Sequence, residues 1–423
     1  MKHTKYILTL MVALTTLFSW WSVPALVQKM TDTATFYPLV YYSSTLKDLC
    51  LIDFREHPKT FYDARGNEYS RTQYDSLVPM LNFRQLLMNG TLPDTIEGHA
   101  VDGKILRMNQ VRYTFDPVEI QAPQCPLGVL MEAMPKRGGL SLPGDFFRMD
   151  QDIQFIHAET NKVDVAKSQR FTKELRDKGF AFPVKHYWGH PTTLKSYEEG
   201  YFCLDSNDEL YHLKMVNGRP FVKNTGLGKQ IDIRWFSMFE VSNKRFYGFL
   251  FGAQGEVGIV ESTDDGGYRF VKLDIRPFDI TKDHFSLIGD LLYWSVTVTN
   301  ENGLEAYGLD TETLQTKATY HQDPPHTLWD QVADWLFLCR LNPQNVDNAY
   351  ISCYMDGFSV KALLLNLVLA VWFFLTKVHC PDTRRRLILS VYLLIAGLPG
   401  ILVMMLLPMK GQKTITKTTK LFQ

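Results

Sequence analysis

Cysteine and histidine are the residues of this sequence that could bind a transition metal. The six cysteines form no CxxC pair and no spacing typical of a zinc site. His186 and His190 would share one face of a helix, but Gly189 and Pro191 disfavour a helix there. We therefore expect no metal site, and we expect the cysteines in predicted strands to be small buried side chains. The six are Cys50, Cys125, Cys203, Cys339, Cys353 and Cys380, and those in predicted strands are Cys203, Cys339 and Cys353.

Four aspartates offer the carboxylate chemistry of a hydrolase: Asp150, Asp152, Asp205 and Asp208. Asp205 and Asp208 could also contribute to a calcium site, but they fall at a predicted hairpin tip, where aspartate closes turns by accepting bonds from its own backbone. The sequence has no GxSxG elbow, no Walker lysine loop and no GxGxxG after a strand. We predict no catalytic residue and no cofactor, and we keep an envelope hydrolase as an alternative.

Composition sets the broad class of protein. The 423 residues include 45 Lys and Arg against 45 Asp and Glu, and 45% are apolar, which excludes a disordered chain and a broadly basic nucleic-acid binder. An aromatic content of 13% favours sheets, where rings pack well on a pleated face. The long apolar runs lie at the two ends of the chain.

The middle of the chain repeats a unit of three short strands. The units begin at Phe146, Tyr201, Phe246, Leu291 and Trp335, at intervals of about 45 to 55 residues. Asn217-Gly218 and Asp265-Gly266 supply the positive φ that tight hairpins need. The spacing predicts a mainly β fold, with a propeller-like array of about five β-meander repeats over residues 134–357. An ordinary antiparallel sandwich is the alternative.

Residues 30–133 do not follow the repeat, and we predict a mixed α/β cap for them. The apolar spacing over residues 73–88 predicts a helix that stops at Gly90. Strands are expected within residues 103–115.

Apolar segments at both ends predict about three membrane-spanning helices. Tyr6–Val27 is uncharged and long enough to cross a bilayer, so residues 1–29 form either a retained anchor or a cleaved signal. Residues 358–409 are expected to form a helical hairpin, whose second helix is kinked at Gly397–Gly400. Asn366, within the first helix of the hairpin, is expected to bond across helices. Residues 410–423 are a basic tail.

The orientation in the membrane is less strongly determined than the spans. The lysine and arginine residues that flank the spans divide equally between the two sides. Because the first helix usually dominates and Arg384–Arg386 lie beside a span, we predict that the N-terminus is inside and the large middle domain outside. An inverted topology is the alternative.

Several stretches carry a resemblance to a known family. KYILTLMVALTTLFSWWSVPALVQKMTDT, FYDARGNEYSRTQYDSLVPMLNFRQLLMNGTLPD, LYHLKMVNGRPFVKNTG and the C-terminal hairpin resemble an uncharacterised bacterial family of envelope proteins, filed as a domain of unknown function. Members are often encoded beside ABC-transporter components. The resemblance implies a role in a transporter assembly, with permease and ATPase subunits as partners, and it supplies no catalytic residues.

Together these features predict a non-enzymatic, multi-pass protein of the bacterial inner membrane whose periplasmic β domain binds a partner or ligand. The expected partners are the lipid bilayer and, as the resemblance implies, the permease and ATPase subunits of an ABC transporter; no nucleic acid is expected. Connectors between the repeats are the expected binding loops, with Tyr187, Trp188, Arg234 and Trp235 as partner-binding residues. The alternative is that these rings cap the core. A structural scaffold or sensor is a further alternative function.

Overall fold

The fold was obtained as a computed structural model, which describes residues 2–31, 37–54, 58–122, 125–324, 328–345, 351–376 and 382–406. The chain divides into two compact units. Phe36–Asp323 is here called the β unit, and Met1–Thr35 with Pro324–Gln423 is called the helical unit. The predicted basic tail at residues 410–423 lies outside the described residues.

The described residues are mainly β, with the helices concentrated at the two ends of the chain. The helices are α1 Lys2–Thr31, α2 Arg71–Leu77, α3 Phe83–Asn89, α4 Gly103–Met108, α5 Val118–Gln121, α6 Val165–Asp177, α7 Leu328–Leu336, α8 Val360–Leu375 and α9 Thr383–Leu406. The strands are β1 Leu39–Ser43, β2 Asp48–Asp53, β3 Thr60–Asp63, β4 Glu68–Tyr69, β5 Thr95–Ile96, β6 His99–Ala100, β7 Val111–Phe115, β8 Asp145–Met149, β9 Ile153–His157, β10 Val163–Asp164, β11 His186–Gly189, β12 Tyr201–Leu204, β13 Leu210–Val216, β14 Arg219–Asn224, β15 Ile233–Met238, β16 Phe246–Gly252, β17 Val257–Ser262, β18 Tyr268–Lys272, β19 His284–Gly289, β20 Tyr293–Asn300, β21 Gly303–Asp310, β22 Thr316–Gln322, β23 Arg340–Asn345 and β24 Ile351–Asp356.

Five antiparallel sheets of three or more strands and the two-stranded hairpin β5–β6 are described in the β unit. In chain order the five sheets are sheet I (β1–β4), sheet II (β8–β10), sheet III (β11–β14), sheet IV (β15–β18) and sheet V (β19–β22, with β7 beside β19). In sheets I to IV, strands that follow one another in sequence lie side by side, so each of these sheets is a meander. Sheet V is a meander of β19–β22 to which the earlier strand β7 is added at the β19 edge. The predicted mainly β class is confirmed.

Shared hydrophobic clusters join neighbouring sheets. Sheets II and III share one cluster, sheets III, IV and V share the largest, and sheets V and I share a third. The contacts therefore run in the order II, III, IV, V, I. Across the described ranges, no closed barrel or propeller is detected.

The predicted repeat strands are confirmed in three sheets, each of which also contains a strand that the repeat did not predict. The strands expected after Tyr201, Phe246 and Leu291 are present in sheets III, IV and V. Each of these sheets begins with a further strand, β11, β15 or β19, where the sequence predicted connecting loops. The prediction of loops was wrong for these three segments because the strands are short and lie outside the repeated pattern.

Sheet II replaces most of its predicted third strand with a helix. β10 has only two residues, and Asp164 then caps α6 by accepting a hydrogen bond from the Lys167 backbone N–H. Ser168 Oγ and Thr172 Oγ1 on α6 accept hydrogen bonds from the backbone N–H groups of Phe155 (2.9 Å) and Ile153 (3.2 Å). The helix therefore satisfies strand amides that a longer third strand would otherwise bind.

Three other predicted elements differ from the structure. The helix expected over residues 73–88 is divided into α2 and α3 around Pro79, although Gly90 ends α3 with a φ of 68° as expected. Residues 103–115 begin as helix α4 before strand β7. The fifth repeat, expected from Trp335, is instead the end of α7 followed by the hairpin β23–β24.

Three apolar helices dominate the helical unit. Thr9–Thr31 and Thr383–Leu406 are long and apolar enough to cross a membrane, and Val360–Leu375 is a shorter apolar helix. The predicted kink is confirmed at Gly397, whose φ of 58° and ψ of −144° interrupt α9.

Side chains from α1 and α8 bind the carbonyl groups near this interruption. Asn366 Nδ2 donates to the Leu394 carbonyl (3.3 Å), and Trp20 Nε1 donates to the Ala396 carbonyl (3.4 Å). Both carbonyls lie immediately before the interruption of the helical backbone at Gly397. The expected interhelical role of Asn366 is therefore confirmed.

We predict that the turn at Gly218 contributes to the stability of sheet III. Asn217 and Gly218 have φ values of 52° and 71°, which confirms the expected positive φ. A Cβ at Gly218 would have no heavy atom within 4 Å, so Gly218→Val acts through backbone strain and should cost about 1 kcal/mol or more.

Thermal unfolding of the full chain in detergent, followed by tryptophan fluorescence, measures this cost. Gly139→Val is the matched control, because Gly139 also has open space around its Cβ position but lacks the positive φ. A midpoint lowered in Gly218→Val alone is expected. Equal midpoints for the two variants would contradict the prediction.

Candidate functional site

A cleft in the β unit lies between the β1–β2 turn and the helical segment that follows sheet I. Its volume is about 280 Å³, just below the range of about 300 to 1,000 Å³ that is usual for small-molecule sites. Buried Pro79, Leu86 and Ile96 supply apolar surface, whereas the exposed hydroxyl residues lie around them. The lining residues are Ser44, Thr45, Ser76, Pro79, Leu86, Thr91, Pro93, Thr95, Ile96 and Glu97.

Tight turns position the polar side of this cleft. Ser43 Oγ donates to the Leu77 carbonyl (2.5 Å) and accepts from the Leu46 N–H (2.9 Å), which fixes the β1–β2 turn against α2. Glu97 has a φ of 51° in the β5–β6 turn. Its carboxylate forms an ion pair with Lys47 and accepts a hydrogen bond from the Tyr293 hydroxyl (2.8 Å).

The cleft has the chemistry of a binding site for a small polar molecule. Within the described ranges, the Thr45 and Thr95 hydroxyls have no hydrogen-bond partner, and neither does the buried Ser44 hydroxyl. The lining residues include no histidine, cysteine or lysine that could act as a base or nucleophile beside a hydroxyl. The hydroxyl groups can therefore orient a ligand by hydrogen bonds, while the apolar face of the ligand packs against Pro79, Leu86 and Ile96.

A second feature is a buried ion cluster between sheets III and IV. Lys195 Nζ lies 3.0 Å from Glu198 Oε1 and 2.5 Å from Glu240 Oε1, and all three side chains are nearly inaccessible to solvent. His190 Nδ1 lies 3.0 Å from the other oxygen of Glu240. These contacts join the segment before β12 to the end of β15.

Glu198 is the member of this cluster with an unsatisfied atom. Its side chain is 2% exposed, and its Oε2 has no hydrogen-bond partner in the described part of the chain. Burial raises the pKa of the Glu198 carboxyl, although Lys195 opposes this effect. The described residues contain no group of three or more His, Cys, Asp or Glu side chains that could hold a metal ion.

His212 lies beside this cluster in the core of sheet III. Its Nδ1 is 2.7 Å from the Tyr268 hydroxyl, its Nε2 is 2.5 Å from the Glu199 carbonyl, and its ring stacks on Phe202. A neutral ring that donates from Nε2 and accepts at Nδ1 satisfies both contacts. Burial, with a smaller contribution from Lys214, lowers the pKa of His212 to about 3.

The predicted partner-binding residues lie in strands rather than loops. Tyr187 and Trp188 belong to β11, and Arg234 and Trp235 belong to β15. Trp188 and Trp235 are buried, with their ring centroids 5.9 Å apart, whereas Tyr187 is partly buried and Arg234 is exposed. The two tryptophans therefore pack in the core, whereas Arg234 is presented to solvent and Tyr187 is partly so.

The candidate hydrolase carboxylates occupy turns. Asp205 is buried and accepts hydrogen bonds from the backbone N–H groups of Asn207, Glu209 and Ala181. Asp208 forms an ion pair with Lys185 (2.6 Å). Asp150 and Asp152 lie in the β8–β9 turn, and none of the four aspartates lines the cleft.

The cysteines have varied environments. Cys50 and Cys203 are buried, Cys339 is intermediate, and Cys125 and Cys353 are exposed. Burial raises the pKa of the Cys50 thiol to about 12, which makes this thiol unreactive. The expected burial is thus confirmed for Cys203 and wrong for Cys353, while Cys380 lies outside the described residues.

Sequence reasoning did not identify the cleft or the ion cluster. Ser44 and Glu97 belong to turns far apart in sequence, and Glu240 is 45 residues from Lys195. The run Lys195-Ser-Tyr-Glu-Glu-Gly200 was the available signal for the cluster, but charged runs usually lie on a solvated surface.

Comparison with known families identifies a family that covers most of the β unit. Residues 39–309 match the family described as "Domain of unknown function (DUF4857)". This range includes the cleft, the ion cluster and most of the five sheets. No curated protein matches the chain.

We predict that His212 makes the β unit sensitive to acid. An unfolded histidine has a pKa of about 6.5. Because the pKa of folded His212 is lower, its contribution to stability is fully present above the unfolded-state value and is lost as the pH falls towards about 3. At pH 5 the loss from this group should be about 2 kcal/mol.

His212→Gln removes this titration, and exposed His99→Gln is the control. We expect the unfolding midpoint of the unsubstituted chain to fall more between pH 7 and pH 5 than that of His212→Gln. His99→Gln should follow the unsubstituted chain. A parallel decline in all three proteins would show that His212 is not the acid-sensitive group.

Proposed function

Because the chain belongs to the DUF4857 family, which has no described function, we propose from its geometry that it is a membrane-anchored binding protein. The helical unit would hold it in a bilayer, and the β unit would bind a small polar ligand in the cleft. The observation that carries the binding role is the combination of an apolar floor with unpartnered hydroxyls on Ser44, Thr45 and Thr95.

The packing of the apolar helices supports the anchor. Thr16 contacts Tyr392 (2.8 Å) and Trp20 contacts Ala396, so residue numbers increase together and α1 is parallel to α9. Asn366 contacts Leu394 and Arg386 contacts Phe374, so α8 is antiparallel to α9. These directions are those of three successive crossings.

The same contacts favour a retained α1 over a cleaved signal. Removal of α1 would leave the Ala396 carbonyl without Trp20 and the Tyr392 hydroxyl without Thr16. Unpaired polar groups are costly in an apolar bilayer. We therefore take α1 as a permanent part of the anchor.

Three crossings would place the β unit on one side of the membrane, between the end of α1 and the start of α8. With the N-terminus inside, Arg384–Arg386 would lie on the cytoplasmic side and the β unit outside, in the periplasm of a bacterial cell. The succession of four-stranded meanders in sheets III and IV supports a propeller-like arrangement of the β unit.

An accessory role in an ABC-type transporter is our proposal for the cellular context. The resemblance of the chain to an envelope family implies permease and ATPase partners, and a transporter accessory protein needs a membrane anchor and a binding domain. We propose a binding role rather than the hydrolase alternative, because Asp205 and Asp208 make turn and ion-pair contacts and, of the four aspartates, Asp152 lines a second cavity beside α6 rather than the cleft.

The orientation yields a testable prediction. Alkaline phosphatase fused after Val360 should be active, and a fusion in the α8–α9 loop should be inactive, because the enzyme folds only outside the cytoplasm. Immunoblots should show equal expression of the two fusions. The reverse pattern of activity would place the β unit in the cytoplasm.

The cleft yields a second prediction. Neutral monosaccharides, polyols and amino acids can be tested individually for their ability to raise the unfolding midpoint of the full chain. A ligand at about 100 times its Kd should stabilise the fold by about 2.7 kcal/mol. Thr95→Phe places a ring at the exposed rim and should abolish the shift.

His99→Phe is the matched control, because His99 lies on the partner strand of the same hairpin and does not line the cleft. The control should retain the shift. If the midpoint shift survives in Thr95→Phe, the ligand binds elsewhere. If none of the compounds in the panel shifts the midpoint of the unsubstituted chain, the proposed ligand class is wrong.

A further inference from the structure

Helix α7 is a short amphipathic helix in the helical unit that the proposed function does not use. Its sequence is LWDQVADWL, which contains no lysine or arginine. Trp329 and Ala333 are buried in a cluster with Phe337, and Val23 and Val27 of α1 pack against this cluster. One face of α7 is thus already attached to a helix of the anchor.

Large apolar side chains of α7 remain exposed on other parts of its surface. Leu328 is 66% exposed and Trp335 is 53% exposed. Two residues at the start of α8 are similarly uncovered, with Phe358 at 72% and Val360 at 62%. These four side chains are here called the apolar collar.

Polar contacts fix the collar at the N-terminal end of α8. Ser359 Oγ donates to the Asp334 carbonyl (2.5 Å), and the Ser359 N–H donates to the Leu338 carbonyl (3.1 Å). Lys361 Nζ lies 3.4 Å from Asp334 Oδ2. The end of α7 and the beginning of α8 are therefore joined by three separate contacts.

The length of α8 indicates what could cover the collar. Its 16 residues span about 24 Å, whereas the hydrocarbon core of a bilayer is about 30 Å thick. A helix of this length leaves an apolar shortfall at one or both ends. The collar lies at one end and provides the missing apolar surface.

We propose that α7 lies in the membrane interface, with the apolar collar inserted at the boundary between headgroups and acyl chains. This inference rests on the proposed membrane anchor. Tryptophan favours this boundary, and an amphipathic helix lies in its plane with its apolar side chains buried by a few ångströms. The occupant of the collar is lipid, because the collar is continuous with helices of the anchor.

The charge of α7 indicates the type of lipid contact. The helix contains no lysine or arginine, Lys361 beside it is paired with Asp334, and the Arg340 guanidinium packs over the Trp329 ring, so attraction to anionic headgroups contributes little. Insertion depends on apolar burial, so binding should be the same in zwitterionic and anionic bilayers.

Photolabelling of the full chain in phosphatidylcholine vesicles tests the inference. A lipid with a diazirine near its glycerol group reacts with side chains at the boundary, and mass spectrometry locates the adducts. We expect adducts at Leu328, Trp335 and Phe358. A second lipid, with its diazirine in the middle of the acyl chain, tests insertion of the anchor, and it should label exposed Ile388 of α9. Leu194, which is 95% exposed in the β unit, is the negative control for both lipids.

Trp335→Glu should remove most of the adducts from α7 while those at Ile388 remain, and Trp335→Phe should keep both. Adducts at Ile388 without any on the collar would overturn the inference and leave the anchor intact. The absence of adducts at both would overturn the anchor as well. A yield that rises with phosphatidylglycerol content would also contradict apolar insertion into lipid.

Discussion

The fold of the β unit depends on aromatic side chains buried between successive sheets. The largest cluster contains Trp188 of sheet III, Trp235 of sheet IV and Trp294 of sheet V. A meander of three or four short strands cannot bury both of its faces alone. Contact with the next sheet removes these rings from water, so the stability of each sheet depends on its neighbours.

This arrangement also explains where polar function can lie. The space between sheets III and IV is occupied by rings and by the buried Lys195–Glu198–Glu240 cluster, in which a ligand would have to displace existing ion pairs. Breaking a buried pair is costly because it leaves a charge without a partner. The cleft beside sheet I differs, because its exposed Thr45 and Thr95 hydroxyls need not break any internal bond to accept a ligand.

The sequence was informative where local pattern decides the structure. Strands β12–β14, β16–β18 and β20–β22 were predicted because aromatic and β-branched runs alternate with turn residues such as Asn217-Gly218. The kink at Gly397 was predicted because proline removes a helical hydrogen bond. Both signals lie within a few residues of the feature that they determine.

Features that depend on distant partners were not predictable in this way. β11 and β15 are short strands that are defined by pairing with neighbouring strands. Tyr187 and Trp235 were therefore predicted to lie in loops. α6 replaces a predicted strand because Ser168 and Thr172 accept hydrogen bonds from the backbone amides of β9. The sequence pattern of the predicted strand gave no sign of these hydrogen bonds. The Glu97 carboxylate of the cleft is oriented by Lys47 and Tyr293, which are remote in sequence.

The central claim is that a permanently anchored chain binds a small molecule in the cleft, and native mass spectrometry of the full chain released from lipid nanodiscs tests it most directly. The account predicts a protein that retains α1 and carries a bound small molecule, which is absent from Thr95→Phe. A protein shortened by the loss of α1, or one with the same bound molecule in Thr95→Phe, would contradict the account.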